Sequence, residues 1–219
     1  MITQQDQLDL FKIISENISQ DVGCYAFGGT AMMFYGYKDE TKDIDLLFKT
    51  SKERGIFIEA LIKLGFVETS PIFFYIPEKL KDRSKPLMFK RGDIRFDLFA
   101  GKIFRTLLSP KMEEDKYAVH DFKGKYNLRI TILKTEQIVL LKAITERQND
   151  IDDIKAILSK DKNFNWQYAV DEAVWQHEHG DSWVLIDLEK TIRELRKYVF
   201  IEEKYLKQIY AAQDGKKKR

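Results

Sequence analysis

The sequence predicts an α+β fold, in which residues 1–133 form a mixed sheet with flanking helices and residues 134–219 form a helical C-terminal region. In the first region, short β-rich segments alternate with segments of helical spacing. In the second, apolar residues recur only at helical spacing, as in Ile138, Leu141 and Ile144. A chain of 219 residues with 44% hydrophobic content is large enough for a buried core and a smaller helical companion.

The composition excludes several classes of protein. Lysine plus arginine (37) nearly balances aspartate plus glutamate (35), so the net charge of +2 does not indicate a nucleic-acid or membrane-surface protein. The single cysteine, Cys24, excludes an internal disulfide and a cysteine-rich zinc site, and we expect it to be a small core residue. No apolar run approaches the roughly 18 residues of a membrane span. We therefore expect a cytoplasmic protein without a membrane partner.

The first elements follow in the order helix, strand, glycine turn, helix. Apolar residues over 6–17 recur at helical spacing, and residues 24–27 suit a short buried strand. The glycines at 28–29 predict a turn, after which a helix begins with Thr30 as a candidate N-cap and ends at Gly36.

Residues 43–48 alternate and then become fully apolar, which predicts a central strand. An amphipathic helix over 51–64 ends at Gly65. Helices are also expected from 135 and after 149, and one long helix over 185–210. Four further β-rich segments cover residues 72–76, 86–90, 94–99 and 126–133.

The strongest chemical signal is the pair of aspartates at 43 and 45. Side chains two apart on a strand project from the same face, so Asp43 and Asp45 would lie side by side. Mg²⁺ prefers oxygen ligands and commonly combines one or two carboxylates with substrate phosphates. Because Gly28 and Gly29 would let the backbone approach a triphosphate and a helix would begin near Thr30, phosphate and metal binding converge here.

A third carboxylate is predicted at Asp97. Over residues 94–99 the apolar side chains alternate with Arg95 and Asp97, which therefore share the opposite face. If this strand lies beside residues 43–48, three carboxylates meet on one face. Such a site could hold two divalent ions about 3.5–4 Å apart.

The segments 28–32 (Gly-Gly-Thr-Ala-Met) and 41–46 (Thr-Lys-Asp-Ile-Asp-Leu) resemble the nucleotidyltransferases of the polymerase β-like superfamily, particularly the abortive-infection (AbiEii-like) toxin type. The resemblance implies a polymerase β-like mixed sheet, with Asp43, Asp45 and Asp97 as catalytic metal ligands. It also implies Mg²⁺, or alternatively Mn²⁺, and a nucleoside triphosphate such as ATP. The acceptor that the resemblance implies would be an RNA end, a protein or a small molecule.

The same resemblance extends to a later helical motif, which would comprise Lys142, Arg147, Asp150 and Asp153. Lys142 would then bind the nucleotide, although a solvated lysine fits its helix nearly as well. Asp150 could equally cap the next helix. The run from His177 to His179 suggests surface residues more than a metal site, because histidines two apart share a face only on a strand.

Two classes of function remain from the sequence. The first is an enzyme that transfers a nucleoside monophosphate to a hydroxyl and releases pyrophosphate. The second is a nucleotide-sensing or partner-binding module of a toxin–antitoxin type system with weak catalysis. A nuclease-like phosphoesterase would use the same metals but would need histidines and further acids that the sequence does not place nearby.

Overall fold

The computed structural model describes residues 1–70, 81, 84–145 and 149–216. The fold is α+β, as predicted: a mixed sheet with flanking helices is followed by a helical region. The chain divides into two compact units, Met1–Lys134 and Thr135–Arg219. The strand expected over residues 72–76 and the motif residue Arg147 lie outside the described residues.

The described elements of the first unit are β1 (Ile2–Thr3), α1 (Gln4–Ser15), β2 (Val22–Ala26), α2 (Gly28–Phe34), β3 (Glu40–Thr41), β4 (Asp43–Phe48), α3 (Ser51–Lys63), β5 (Val67–Thr69), β6 (Leu87–Arg91), β7 (Ile94–Ala100), β8 (Lys102–Ile103), β9 (Thr106–Leu107), α4 (Pro110–Glu114), β10 (Lys116–Lys123) and β11 (Asn127–Leu133). The larger sheet has the strand order β10-β11-β2-β4-β7-β6-β5. Strand β4 pairs in parallel with β7, and β11 pairs in parallel with β2, while the other neighbours along this order are antiparallel.

One part of the core of this unit packs between α3 and one face of the central strands. Phe48 of β4 and Phe96 of β7 both contact Phe57 of α3, with ring centroids 5.2 and 5.6 Å apart. All three are fully buried. Because side chains alternate along a strand, the neighbours of Phe48 on β4 and of Phe96 on β7 must face the opposite side of the sheet. Cys24 is buried in β2, as expected, and burial raises the pKa of its thiol well above its ordinary value.

The predicted start of the second helix is wrong by three residues, since Thr30 was the expected N-cap residue. Helix α2 begins at Gly28 rather than after a glycine turn, and Phe27 is its N-cap residue without a side-chain capping bond. Thr30 is therefore inside the first turn. Its end is as predicted: Gly36 adopts φ 70°, and the N–H of Tyr37 donates to the carbonyl of Met32 at 2.9 Å.

The described elements of the second unit are the helices α5 (Thr135–Thr145), α6 (Asp150–Lys160), α7 (Trp166–Glu178), α8 (Val184–Leu195) and α9 (Glu203–Lys216). The single long helix predicted over 185–210 is wrong, because the chain leaves helical geometry between α8 and α9. The break lets Leu195, Ile201 and Leu206 all be buried. Within the described ranges, none of the helices combines the length and the apolar character needed to cross a membrane.

The two histidines at the end of α7 have different surroundings. His177 is buried, and its Nδ1 lies 3.3 Å from the carbonyl oxygen of Asp181, so the prediction that it is a surface residue is wrong. His179 is exposed and stacks on Trp175 with ring centroids 3.8 Å apart. The difference arises because α7 ends between them and only His177 faces the interior of the unit.

Candidate metal centre

The parallel pairing of β4 with β7 aligns two short polar stretches. Asp43 lies opposite Arg95, and Asp45 lies opposite Asp97. Phe48 of β4 and Phe96 of β7 face α3, and these four side chains alternate with them, so they project from the other face. The neighbouring strands that the site requires are therefore present, and the four residues form a two-by-two array.

The three carboxylates of the array lie close enough to share a cation. One oxygen of each of Asp43, Asp45 and Asp97 lies within 4.8 Å of the others. Asp45 and Asp97 are buried, with 3% and 0% of their surface exposed, whereas Asp43 is partly exposed. Buried oxygen donors that converge in this way suit a hard divalent cation such as Mg²⁺ or Mn²⁺.

Arg95 completes the array, although the sequence pattern alone did not assign it to the site. Its Nε donates to Oδ1 of Asp97 at 2.9 Å, and its Nη2 donates to Oδ2 of Asp43. Only 11% of its side chain is exposed. The alternation that placed Asp97 on the polar face also placed Arg95 there, but its partner on β4 depends on strand register.

Helix α2 packs directly against the array. The hydroxyl of Thr30 accepts a hydrogen bond from the backbone N–H of Asp45 at 2.9 Å, and the N–H of Phe27 donates to the carbonyl of Asp45 at 3.4 Å. Thr30 is fully buried. These bonds hold the backbone of Asp45 in place, while phosphate contacts by Gly28, Gly29 and Thr30 stay a prediction.

The two glycines of α2 are required by close packing. A Cβ at Gly28, which has φ 57°, would collide with the carboxylate of Asp45. A Cβ at Gly29 would lie 2.5 Å from Oγ1 of Thr41. Residue 28 must therefore be glycine for both its backbone conformation and the space beside a predicted metal ligand.

We expect Gly28→Ala to disturb the metal centre more than the fold. The matched control is Gly36→Ala, because Gly36 has a similar φ of 70° but open space around its Cβ position. Each change should cost about 1–2 kcal/mol of unfolding free energy through backbone strain. Only Gly28→Ala should also weaken Mn²⁺ binding, measured by calorimetry. Equal Mn²⁺ affinities in the two variants would contradict this expectation.

Lys142 lies in the second unit, where two carboxylates hold it. Its Nζ lies 2.6 Å from Oδ2 of Asp153 and 3.1 Å from Oδ1 of Asp150, and the lysine is buried. Burial by itself lowers the pKa of the ammonium, but the two carboxylates outweigh it and the net pKa is raised. The alternative of a solvated lysine is wrong. Its nucleotide-binding role stays a prediction.

Asp150 has two partners on the preceding helix. Besides its contact with Lys142, its Oδ2 accepts from the hydroxyl of Thr145 at 2.8 Å. Asn149 occupies the N-cap position of α6 and makes no side-chain capping bond. Asp150 therefore joins α6 to α5 through a buried polar cluster, which capping alone would not require.

Comparisons with known proteins leave the family open. No family model matches the chain, and no curated protein matches it. Among solved structures, the chain is similar to the one described as "Crystal Structure of ANT(2")-Ia in complex with adenylyl-2"-tobramycin". The two share 13% sequence identity with a TM-score of 0.48, over 81% of this chain and 99% of that chain. These values are too low for the likeness to bear on activity.

Proposed function

We propose that the chain is a metal-dependent nucleotidyltransferase that moves a nucleoside monophosphate from a nucleoside triphosphate to a hydroxyl acceptor. The observation that carries the proposal is the convergence of Asp43, Asp45 and Asp97 within 4.8 Å on one face of a parallel strand pair. Two buried acids beside a third are electrostatically costly, so an arrangement of this kind favours a cation-binding role.

The proposed reaction joins the acceptor oxygen to the α-phosphorus of the triphosphate. The bond from that phosphorus to the bridging oxygen breaks, and pyrophosphate leaves with the bonding electrons. Asp43 and Asp45 would hold the divalent cations, and Asp97 would act as a further ligand and accept the proton of the hydroxyl. Bound there, the cations would lower the pKa of that hydroxyl and stabilise charge developing at the phosphorus.

The finer parts of the proposal concern the ligands and the setting. We infer Mg²⁺, with Mn²⁺ as a substitute, because the donors are all carboxylate oxygens. ATP is the proposed donor nucleotide, and the acceptor is an RNA end, a protein or a small molecule. A cytoplasmic toxin–antitoxin role and the abortive-infection type belong to the same proposal, as do a catalytic domain over 1–133 and a helical region over 134–219.

The test is transfer of label from each α-labelled nucleoside triphosphate. The protein would be incubated with Mg²⁺ or Mn²⁺, RNA, cell protein and small-molecule hydroxyl acceptors, beside the double variant Asp43→Ala/Asp45→Ala. We expect label to appear in an acceptor with the native protein and not with the variant. The variant removes two of the three converging carboxylates, so the site should no longer hold a cation.

The control variant is Asp121→Asn, which alters an exposed carboxylate on β10 of the same sheet. It should transfer label as the native protein does. Equal label in the native protein and in Asp43→Ala/Asp45→Ala would overturn the proposal. Metal-dependent binding of a triphosphate without transfer to any acceptor would instead support the nucleotide-sensing module.

A further inference from the structure

Arg95 stands inside the array of predicted metal ligands, and its two ion pairs use the same carboxylates. It lies directly opposite Asp43 in the register of β4 and β7 and two residues before Asp97 on its own strand. Its Nε donates to Asp97 at 2.9 Å, and its Nη2 donates to Asp43. A single planar guanidinium thus joins one carboxylate from each strand.

We propose that Arg95 is a positioning residue that competes with the divalent cation for Asp43 and Asp97. It holds the two strands' carboxylates together through its own charge, and cation binding then requires its ion pair with Asp43 to open. This inference rests on the metal site of the proposed function and adds a residue that regulates how tightly that site binds its cation.

The exposure of the four side chains indicates that Arg95 competes with the cation and does not merely support the carboxylates from outside the site. Asp97 has no exposed side-chain surface, and Asp45 is 3% exposed. The side chains of Asp43 and Arg95 retain 16% and 11% exposure. The ion pair between Asp43 and Arg95 therefore forms the more accessible side of the array, on the solvent side of the two buried acids.

The charges of the array lead to the same conclusion. Three carboxylates and one guanidinium leave an excess of negative charge, which attracts a cation. Arg95 nevertheless places a positive charge within hydrogen-bond distance of Asp97, on the face where the cation would bind. At such separations in a partly buried site, repulsion between guanidinium and cation is large enough to shift affinity by more than tenfold. A neutral side chain at position 95 should therefore bind the cation more tightly.

The experiment measures Mn²⁺ affinity by calorimetry and by the electron paramagnetic resonance signal of free Mn²⁺. The variants are Arg95→Met, which removes charge and hydrogen bonds, and Arg95→Gln, which keeps hydrogen-bond donors but is neutral. We expect both to bind Mn²⁺ at least about tenfold more tightly than the native protein. Arg95→Lys keeps the positive charge, so it should gain less Mn²⁺ affinity than either neutral variant.

The matched control is Arg129→Met. Arg129 pairs with Asp121 on the same sheet, at 2.9 Å between Nε and Oδ1, but that pair is exposed and involves none of the three predicted ligands. Arg129→Met changes the net charge of the protein by the same amount as Arg95→Met. The Mn²⁺ affinity of Arg129→Met should equal that of the native protein. A gain in Mn²⁺ affinity in both variants would indicate a general charge effect and would overturn the inference.

Thermal unfolding supplies a second readout. Arg95→Met leaves Asp43 and Asp97 without the guanidinium that joins them, so its unfolding midpoint without metal should fall. Added Mn²⁺ should raise that midpoint by more than it raises the native one, because tighter ligand binding stabilises the folded state more. For Arg95→Gln we expect a smaller loss in the unfolding midpoint without metal and again a larger rise with Mn²⁺ than in the native protein. This variant keeps the test decisive if Arg95→Met does not fold without metal.

The outcomes separate this inference from the proposed function. If the native protein binds Mn²⁺ and neither Arg95→Met nor Arg95→Gln binds it more tightly, Arg95 does not compete and the inference is overturned while the metal site stands. If both variants bind Mn²⁺ more tightly but the native protein transfers no label, the inference holds and nucleotidyl transfer fails. Absence of Mn²⁺ binding in the native protein and in both variants would overturn both.

Discussion

Asp97→Asn is expected to reduce nucleotidyl transfer by about a thousandfold or more, which corresponds to about 4 kcal/mol of activation free energy. Asparagine has nearly the same shape and can still accept the hydrogen bond from Nε of Arg95, so the fold should persist. The neutral amide, however, is a poor ligand for a hard divalent cation and cannot accept the proton of the attacking hydroxyl. The measurement is the initial rate of label transfer at saturating metal and triphosphate.

The control for Asp97→Asn is Asp121→Asn, because Asp121 is also an aspartate paired with an arginine on the same sheet. Hydrogen bonds from Arg129 and Asn127 lower the pKa of Asp121 to about 2, so this control removes a charged carboxylate at neutral pH. The rate should be unchanged in this control. A rate loss of less than about tenfold in Asp97→Asn, with the unfolding midpoint preserved, would remove Asp97 from the catalytic group.

Lys142→Met is expected to destabilise the protein by about 3–5 kcal/mol, because it leaves Asp150 and Asp153 near each other in a mostly buried cluster without their cation. The measurement is the free energy of unfolding from denaturant titration at pH 7. Lys142→Met/Asp150→Asn/Asp153→Asn, which removes the whole set of charges, should recover most of the loss.

An exposed pair in the same unit provides the comparison for Lys142→Met. Lys197 and Glu194 lie 2.5 Å apart on the surface, and Lys197→Met should leave the unfolding midpoint nearly unchanged. If Lys142→Met were equally mild, the buried cluster would not stabilise the unit. A Lys142→Met variant that stays folded at low temperature but loses triphosphate affinity would support the predicted nucleotide role.

The raised pKa of Lys142 also determines the pH range of its contribution. A group whose pKa is raised on folding stabilises the protein fully below its unfolded value, here the ordinary 10.5, and loses that contribution as pH rises through the folded value. The difference in stability between the native protein and Lys142→Met should therefore be constant from about pH 7 to 10 and decrease only at higher pH.

Elements with a strong local pattern could be predicted from the sequence, and those that depend on tertiary packing could not. The strand Asp43–Phe48 has the predicted bounds because its alternation and apolar end are unambiguous. Strand β10 (Lys116–Lys123) received no prediction, since it is an edge strand with many exposed side chains and a weak apolar pattern. The break after Leu195 was missed because residues 196–202 contain neither glycine nor proline.

The candidate site shows the same division. Period-two alternation was sufficient to place Asp43 and Asp45 on one face and Asp97 beside Arg95 on another strand. It could not reveal that Arg95 pairs with Asp43, because that contact depends on the register between strands about 50 residues apart in the chain. The start of α2 was misplaced since glycine usually interrupts helices, whereas here Gly28 opens one to make room for Asp45.

The register between β4 and β7 affects which strand pairings can accumulate when the protein folds. A shift by one residue would turn Asp97 toward α3 and move Phe96 to the face that carries the acids. The misaligned chain would bury a carboxylate among aromatic rings, and it would be too unstable to accumulate. A one-residue mispairing is thus disfavoured by the same contacts that form the hydrophobic core. The packing of Phe48, Phe57 and Phe96 therefore also determines which face of the sheet carries the acids.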